Sequence, residues 1–275
     1  MSRKYRKFVR KLGLLVGGTL LATIGYPFFE AKWCQVNRST IELPFLPSAF
    51  KGIRIVFFSD IHHGPWVPLF YVQQVVDMAN QLKPDLICLG GDYVHMSAKY
   101  VEPCIAILGE LQAPYGVFAV LGNHDHRNGA RKTHQALEEA GIQVLTNTGI
   151  WLEAENERLR LCGVDDLWEG NQNLNSALDD ATQEDAVLLL SHNPDFAEKF
   201  DDKRVGLMLS GHTHGGQVVL PFLGAPFIPS KFKNKYLSGL VQTTATQVFV
   251  SKGVGTIAPP IRFCCRPEID LITLI

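Results

Sequence analysis

Two histidines, His212 and His214, stand one residue apart in Leu209-Ser210-Gly211-His212-Thr213-His214-Gly215-Gly216, directly after an apolar run. Four other stretches share the form of an apolar run that ends abruptly in Asp, Asn or His. They are Ile53 to Ser59 into Asp60-Ile61-His62, Leu86 to Leu89 into Gly90-Gly91-Asp92, Val117 to Leu121 into Gly122-Asn123-His124-Asp125, and Val187 to Ser191 into His192. Imidazole, carboxylate and amide donors of this kind suit Mn, Fe, Zn, Co or Ni, and no Cys lies in these turns to favour a soft metal. At i and i+2, Asp60 with His62 and His212 with His214 can converge on a common volume if the backbone leaves strand geometry, which the neighbouring glycines permit. Asp60, His62, Asp92, Asn123, His192, His212 and His214 are too many ligands for one four-coordinate ion. They fit two ions that share a bridging carboxylate, and two ions roughly 3.5 to 4 Å apart clamp the attacking and leaving oxygens of a phosphoryl displacement.

In order and spacing these stretches resemble the five motifs of the calcineurin-like metallophosphoesterases, over about residues 53 to 275. The resemblance implies that Asp60, His62 and His214 hold one metal, that Asn123, His192 and His212 hold the second, and that Asp92 bridges them. It gives His124 the catalytic role, an unliganded imidazole that meets a phosphate oxygen or the leaving group, with an acidic neighbour as its hydrogen-bond partner. The close of the chain, Ser251-Lys252-Gly253-Val254-Gly255 through Pro259-Pro260-Ile261-Arg262-Phe263, resembles the bacterial membrane-associated phosphodiesterase branch. His63, His95, His126 and His134 fit none of the motifs and read as surface or satisfied core residues.

The elements that must carry these residues follow from periodicity. Helices are expected near 70–82, 99–111 and 130–140, and strands at 53–59, 86–89, 117–121 and 142–146, an alternation that implies a layered α/β fold. From residue 159 strands dominate, at 159–162, 187–191, 206–210, 216–220, 246–251 and 269–274. The resemblance implies a four-layer, two-sheet α/β sandwich. In open α/β sheets ligands bind beyond the strands' carboxyl ends, where all the donor residues fall. Residues 224–236, rich in Pro, Phe and Lys, read as a long solvated loop.

Before this domain the chain divides into a basic segment, 1–11, an uncharged apolar run, 12–29, and a connector, 30–52, containing Pro44 and Pro47. A helix over 12–29 would be about 27 Å long, close to the roughly 30 Å hydrocarbon core, so a transmembrane anchor is expected. A cleaved signal peptide is the competing reading, opposed by the bulky Tyr26-Pro27-Phe28-Phe29. Six Lys and Arg precede the run while only Lys32 and Arg38 closely follow it, which predicts a single-pass protein with its catalytic domain outside the cytoplasm.

A hydrophobic fraction of 46% in 275 residues allows a large core, and a net charge of −1 gives no nucleic-acid signal. The six cysteines form no CxxC pair, and neither a GxGxxG nor a GxSxG motif is present. The expected function is hydrolysis of a phosphate ester, a diester before a monoester, by a metal-bound hydroxide, with Mn the favoured metal. A lipid pyrophosphate hydrolase acting on a substrate such as UDP-2,3-diacylglucosamine and a non-catalytic membrane-bound metal-binding module are the alternatives. The expected partners are therefore a phosphate ester, lipid-linked substrates included, and a membrane.

Overall fold

The computed structural model describes residues 25–275. Two six-stranded sheets pack face to face. The first has the order β1 (Gln35–Ile41), β12 (Glu268–Leu274), β2 (Arg54–Phe58), β3 (Leu86–Leu89), β4 (Val117–Ala119), β5 (Gln143–Val144). Strands β2 to β5 run parallel, and β12 is antiparallel to β2 but parallel to β1. The second has the order β10 (Gly239–Gln242), β11 (Gln247–Val250), β9 (Leu207–Ser210), β8 (Val187–Leu190), β7 (Glu157–Gly163), β6 (Thr148–Ala154). Its four central strands are parallel and its two edge strands antiparallel.

Side-chain alternation along β2 shows how the layers form. Ile55 and Phe57 point into the inter-sheet core with Leu188, Leu190, Leu207 and Leu209, while Val56 and Phe58 face the helices. Those helices are α1 (Leu69–Gln81), α2 (Val101–Leu108) and α3 (Asn123–Glu139), which bury Val72, Val76, Ile105 and Leu137 against the first sheet. The outer face of the second sheet is covered more thinly, by the five-residue α4 (Leu174–Leu178), the 3-10 turn Pro194–Glu198 and Tyr236. The two-sheet α/β architecture expected from the sequence is therefore present, with a slight fourth layer.

Several expectations need correction. The connector 30–52 contains β1, which pairs with β12 from Gln35 opposite Glu268 to Ile41 opposite Leu274. This is an edge strand of mostly polar residues, with Arg38 and Thr40 exposed, so it carries no apolar run to reveal it. No strand forms at 216–220; a 3-10 turn spans His214–Gly216, and Val218 and Leu220 make only isolated bridges. The helix expected near 130 begins at Asn123 and is kinked at Gly129, whose φ is 132°.

The expected N-terminal transmembrane helix is unsupported. Most of 12–29 lies outside the described residues, and among the described residues no helix is long and apolar enough to cross a membrane. Residues 25–30 are helical and docked on the domain. The Arg262 backbone N–H donates to Pro27 O at 2.9 Å, and the buried Glu30 carboxylate accepts the N–H groups of Cys264 (3.1 Å) and Cys265 (2.6 Å).

Candidate metal centre and active site

Every candidate ligand sits just past the carboxyl end of a strand: Asp60 and His62 after β2, Asp92 after β3, Asn123 after β4, His192 after β8, and His212 and His214 after β9. All seven are buried. The chain must turn sharply there, and the turn falls on the ligands themselves. Asp60, His62, Asp92, His212 and His214 have φ between 51° and 70°, a left-handed conformation that costs a non-glycine residue roughly 1–3 kcal/mol and concentrates at functional sites. Glycine is needed beside them for close approach. A Cβ on Gly211 would lie 2.1 Å from Ser59 Oγ and 2.3 Å from Asp60 Oδ2, and one on Gly122 would lie 2.2 Å from Asp92 Oδ1.

The donors form two groups. Asp60, His62 and His214 converge, as do Asp92, His192 and His212, each set with ligand atoms within 4.8 Å of one another. Asp60 and His62 thus share a volume as their spacing suggests, whereas His212 and His214 divide between the two. Asp92 Oδ2 lies 3.5 Å from His62 Nε2 and 3.3 Å from His192 Nε2, on the boundary between the groups. Asn123 Oδ1 and His212 Nδ1 are each 3.2 Å from His192 Nε2, which brings the amide into the second set.

Surrounding bonds hold these groups in place. Asp60 Oδ2 accepts Ser59 Oγ–H (2.5 Å) and His212 N–H (2.9 Å), and Asp92 Oδ1 accepts His124 N–H (2.7 Å). His192 Nδ1 lies 2.7 Å from Gly90 O and donates to it, which turns Nε2 toward Asp92, Asn123 and His212.

The arrangement fits cations. Asp60 Oδ1 is buried without a hydrogen-bond partner, 3.4 Å from His214 Nε2 and 3.8 Å from His62 Nε2. His62 Nε2 and His214 Nε2 face each other at 3.1 Å, and at most one can donate to the other. Burial alone would raise the Asp60 and Asp92 carboxyls. The facing imidazoles, His214 for Asp60 and His192 for Asp92, outweigh it and hold both below the usual carboxylate range. Burial brings His212 down to about 3 and pushes His214 well below its ordinary value. His192, facing Asp92, moves the other way, well above its ordinary value. Buried carboxylate oxygens and imidazole nitrogens at these separations are the donor types a divalent cation takes, and binding one would displace a proton held there.

His124 lies at the rim of this cluster, half-buried, its ring edge-on to His62 with centroids 4.7 Å apart. Its Nδ1 is 3.2 Å from His95 Nδ1, so its partner is a histidine and not the expected acid. Asp125, the acidic neighbour, turns inward and accepts the backbone N–H groups of Asp92 (2.7 Å), Tyr93 (2.9 Å) and Gly122 (2.9 Å), locking the two turns together. His95 joins His62 and His124 in a third cluster, contrary to its reading as a bystander. His63 Nδ1 is instead 2.7 Å from Val67 O, and His126 faces Asp165 at 2.9 Å.

Two more residues at the site had no role assigned from the sequence. Arg262 is fully buried and donates to the carbonyls of His214 (3.3 Å), Gly255 (2.7 Å) and Lys252 (2.7 Å). Because Gly255 N–H donates to Asp60 O at 2.8 Å, Arg262 ties the loop of one candidate ligand to the loop of another. The ring of Trp168 stands perpendicular to that of His212, with centroids 4.3 Å apart. In the sequence Arg262 stood only within the closing stretch that resembles the phosphodiesterase branch, with no role attached, and Trp168 only as a lone Trp between acidic residues.

Comparison with known proteins matches residues 53–216 to the calcineurin-like phosphoesterase model. The chain belongs to the calcineurin-like phosphoesterase family. It is 35% identical over 282 residues to the Bacillus subtilis metallophosphoesterase YkuE, covering 100% of this chain and 98% of that one. It is also 35% identical over 257 residues to the Escherichia coli phosphodiesterase YaeI, covering 91% of this chain and 92% of that one. Among solved structures, the 5'-nucleotidase precursor of Thermus thermophilus overlays on 80% of this chain and 54% of its own, with 14% identity and a TM-score of 0.49.

Proposed function

We propose that this family member hydrolyses phosphodiesters with two divalent cations. Asp60, His62 and His214 would hold one, Asn123, His192 and His212 the other, and Asp92 would belong to both. The observation that carries the reading is Asp92 Oδ2, within 3.5 Å of an imidazole from each group. Two cations bound there would bring the pKa of water toward about 7 and neutralise charge developing on phosphorus. Mn is the favoured metal on the donor types, and the diester preference draws on the name of the E. coli relative.

The chain's own residues supply the remaining chemistry. Burial brings His124 down to about 4, so at neutral pH it is an uncharged ring that can donate a hydrogen bond to a phosphate or departing oxygen. His95 Nδ1 fixes the ring from behind, and the Asp92 bond to the His124 backbone sets where α3 begins.

A lipid-linked substrate is the second reading, favoured by one feature. Phe227 and Ile257 line an apolar cavity of about 210 Å³ that reaches His214, and Phe222 and Leu223, a few residues before Phe227 in the chain, are exposed. An amino-terminal anchor with the domain outside the cytoplasm completes the proposal, argued from the Lys and Arg excess before residue 12.

The test is the purified full chain with Mn against monoesters, diesters and lipid pyrophosphates. Diesters should be cleaved fastest, and a chelator should stop the reaction. Cleavage of lipid pyrophosphates alone would replace the first reading with the second, and no hydrolysis of any ester would end both.

A further inference from the structure

We propose that the cavity lined by Trp168, whose ring contacts His212, is a subsite for a planar aromatic ester group bearing negative charge, as in a mononucleotide, with Trp168 as its stacking platform. The proposal rests on the phosphoesterase reading, because it places the ester's organic group next to the candidate centre. The cavity measures about 520 Å³, the size expected of a small-molecule site, and Trp168, Phe232, Lys199 and Lys231 line it. The indole is 43% exposed even though its ring contacts the buried His212, so one side touches the candidate centre and the remainder is open to a ligand.

An exposed Trp on a loose loop would be a poor platform, but this loop is fastened. Asp166 Oδ2 accepts the N–H groups of Trp168 and Glu169, both at 2.8 Å, and Asp165 Oδ2 accepts that of Asn171 at 2.9 Å. Two contacts reach across to α3, the helix that carries His124: Asp165 with His126 at 2.9 Å and Glu169 with Arg127 at 2.7 Å. Such anchoring removes the ordering cost that stacking would otherwise incur.

The polar lining gives the charge preference. Asp195 is occupied by Ser230 Oγ–H (2.5 Å) and Lys231 N–H (2.8 Å), and Glu198 by Lys235 and the Tyr236 hydroxyl. Neither Lys199 nor Lys231 forms an ion pair among the described residues, so both ammonium groups are free for an anion.

Calorimetric titration of the Mn-loaded full chain with AMP, ADP and glycerol 3-phosphate tests this directly. Trp168→Ala should weaken AMP about 5- to 150-fold, the usual cost of a lost base–aromatic stack, while glycerol 3-phosphate keeps its affinity and Trp168→Phe restores much of the AMP binding. The double change Lys199→Ala with Lys231→Ala should weaken ADP more than AMP. AMP binding to Trp168→Ala as tightly as to the unaltered protein would overturn the subsite, as would equal losses for AMP and glycerol 3-phosphate. A chain that binds AMP through Trp168 but hydrolyses no ester would contradict the phosphoesterase reading and leave the subsite standing.

Discussion

At the scale of single residues, the site separates groups that would hold metal from groups that would act on substrate. His124 receives its place from its backbone bond to Asp92, so removing its ring leaves that bond intact. His124→Ala should keep full metal content and slow turnover by roughly 10² to 10⁴, the range for a lost proton donor; elemental analysis beside kcat checks both halves. Gly211→Ala is the reverse case, because its Cβ would press on Ser59 and Asp60. It should lower stability by about 1–3 kcal/mol, the usual range for overpacking, and reduce metal affinity, visible in denaturant unfolding and metal titration. The ligands were legible in the sequence because each is a polar residue where a buried apolar strand stops. His95, Asp125 and Trp168 were not, because their roles depend on contacts between distant loops that no local spacing records. The left-handed backbone of five ligands was half-legible: adjacent glycines pointed to a departure from strand geometry, but it falls on the ligands themselves.

Elements differ in how openly the sequence declares them. Strands β3, β8 and β9 are covered on both faces and read as continuous apolar runs, as central parallel strands do. Strands β1, β6 and β10 lie at sheet edges with mixed patterns and gave no such signal. The junction between α3 and the Trp168 loop carries a pH-dependent prediction. The Asp165 carboxylate, 2.9 Å from Nε2, raises His126 above its ordinary value of 6.5. Its contribution to stability is therefore complete below pH 6.5 and is lost as pH rises through the raised folded-state value. His126→Gln should lower the urea midpoint at pH 6, and the difference from the unaltered protein should shrink at pH 9; a difference independent of pH would contradict the ion pair.

For the whole molecule, two sheets sharing one apolar interior fix the relative positions of loops from both halves of the chain. Leu188 is fully buried in that interior, and Leu188→Ala should cost about 2–5 kcal/mol in denaturant unfolding. The domain also extends further toward the amino terminus than composition suggested. A chain cut to residues 45–275 would lose β1 together with buried Ile41 and Leu43, roughly 3–6 kcal/mol of apolar burial at about 1.5–3 each, and should unfold at markedly lower urea than the full chain. Metal stoichiometry by elemental analysis of the full chain and of Asp92→Asn tests most directly whether one carboxylate serves two metal sites. The amide can still accept the His124 N–H, so the turn keeps its bond while the shared charge is lost. The account predicts two Mn ions per chain in the unaltered protein and fewer than two, with hydrolysis abolished, in Asp92→Asn. Two ions retained and diester hydrolysis undiminished in Asp92→Asn would contradict it.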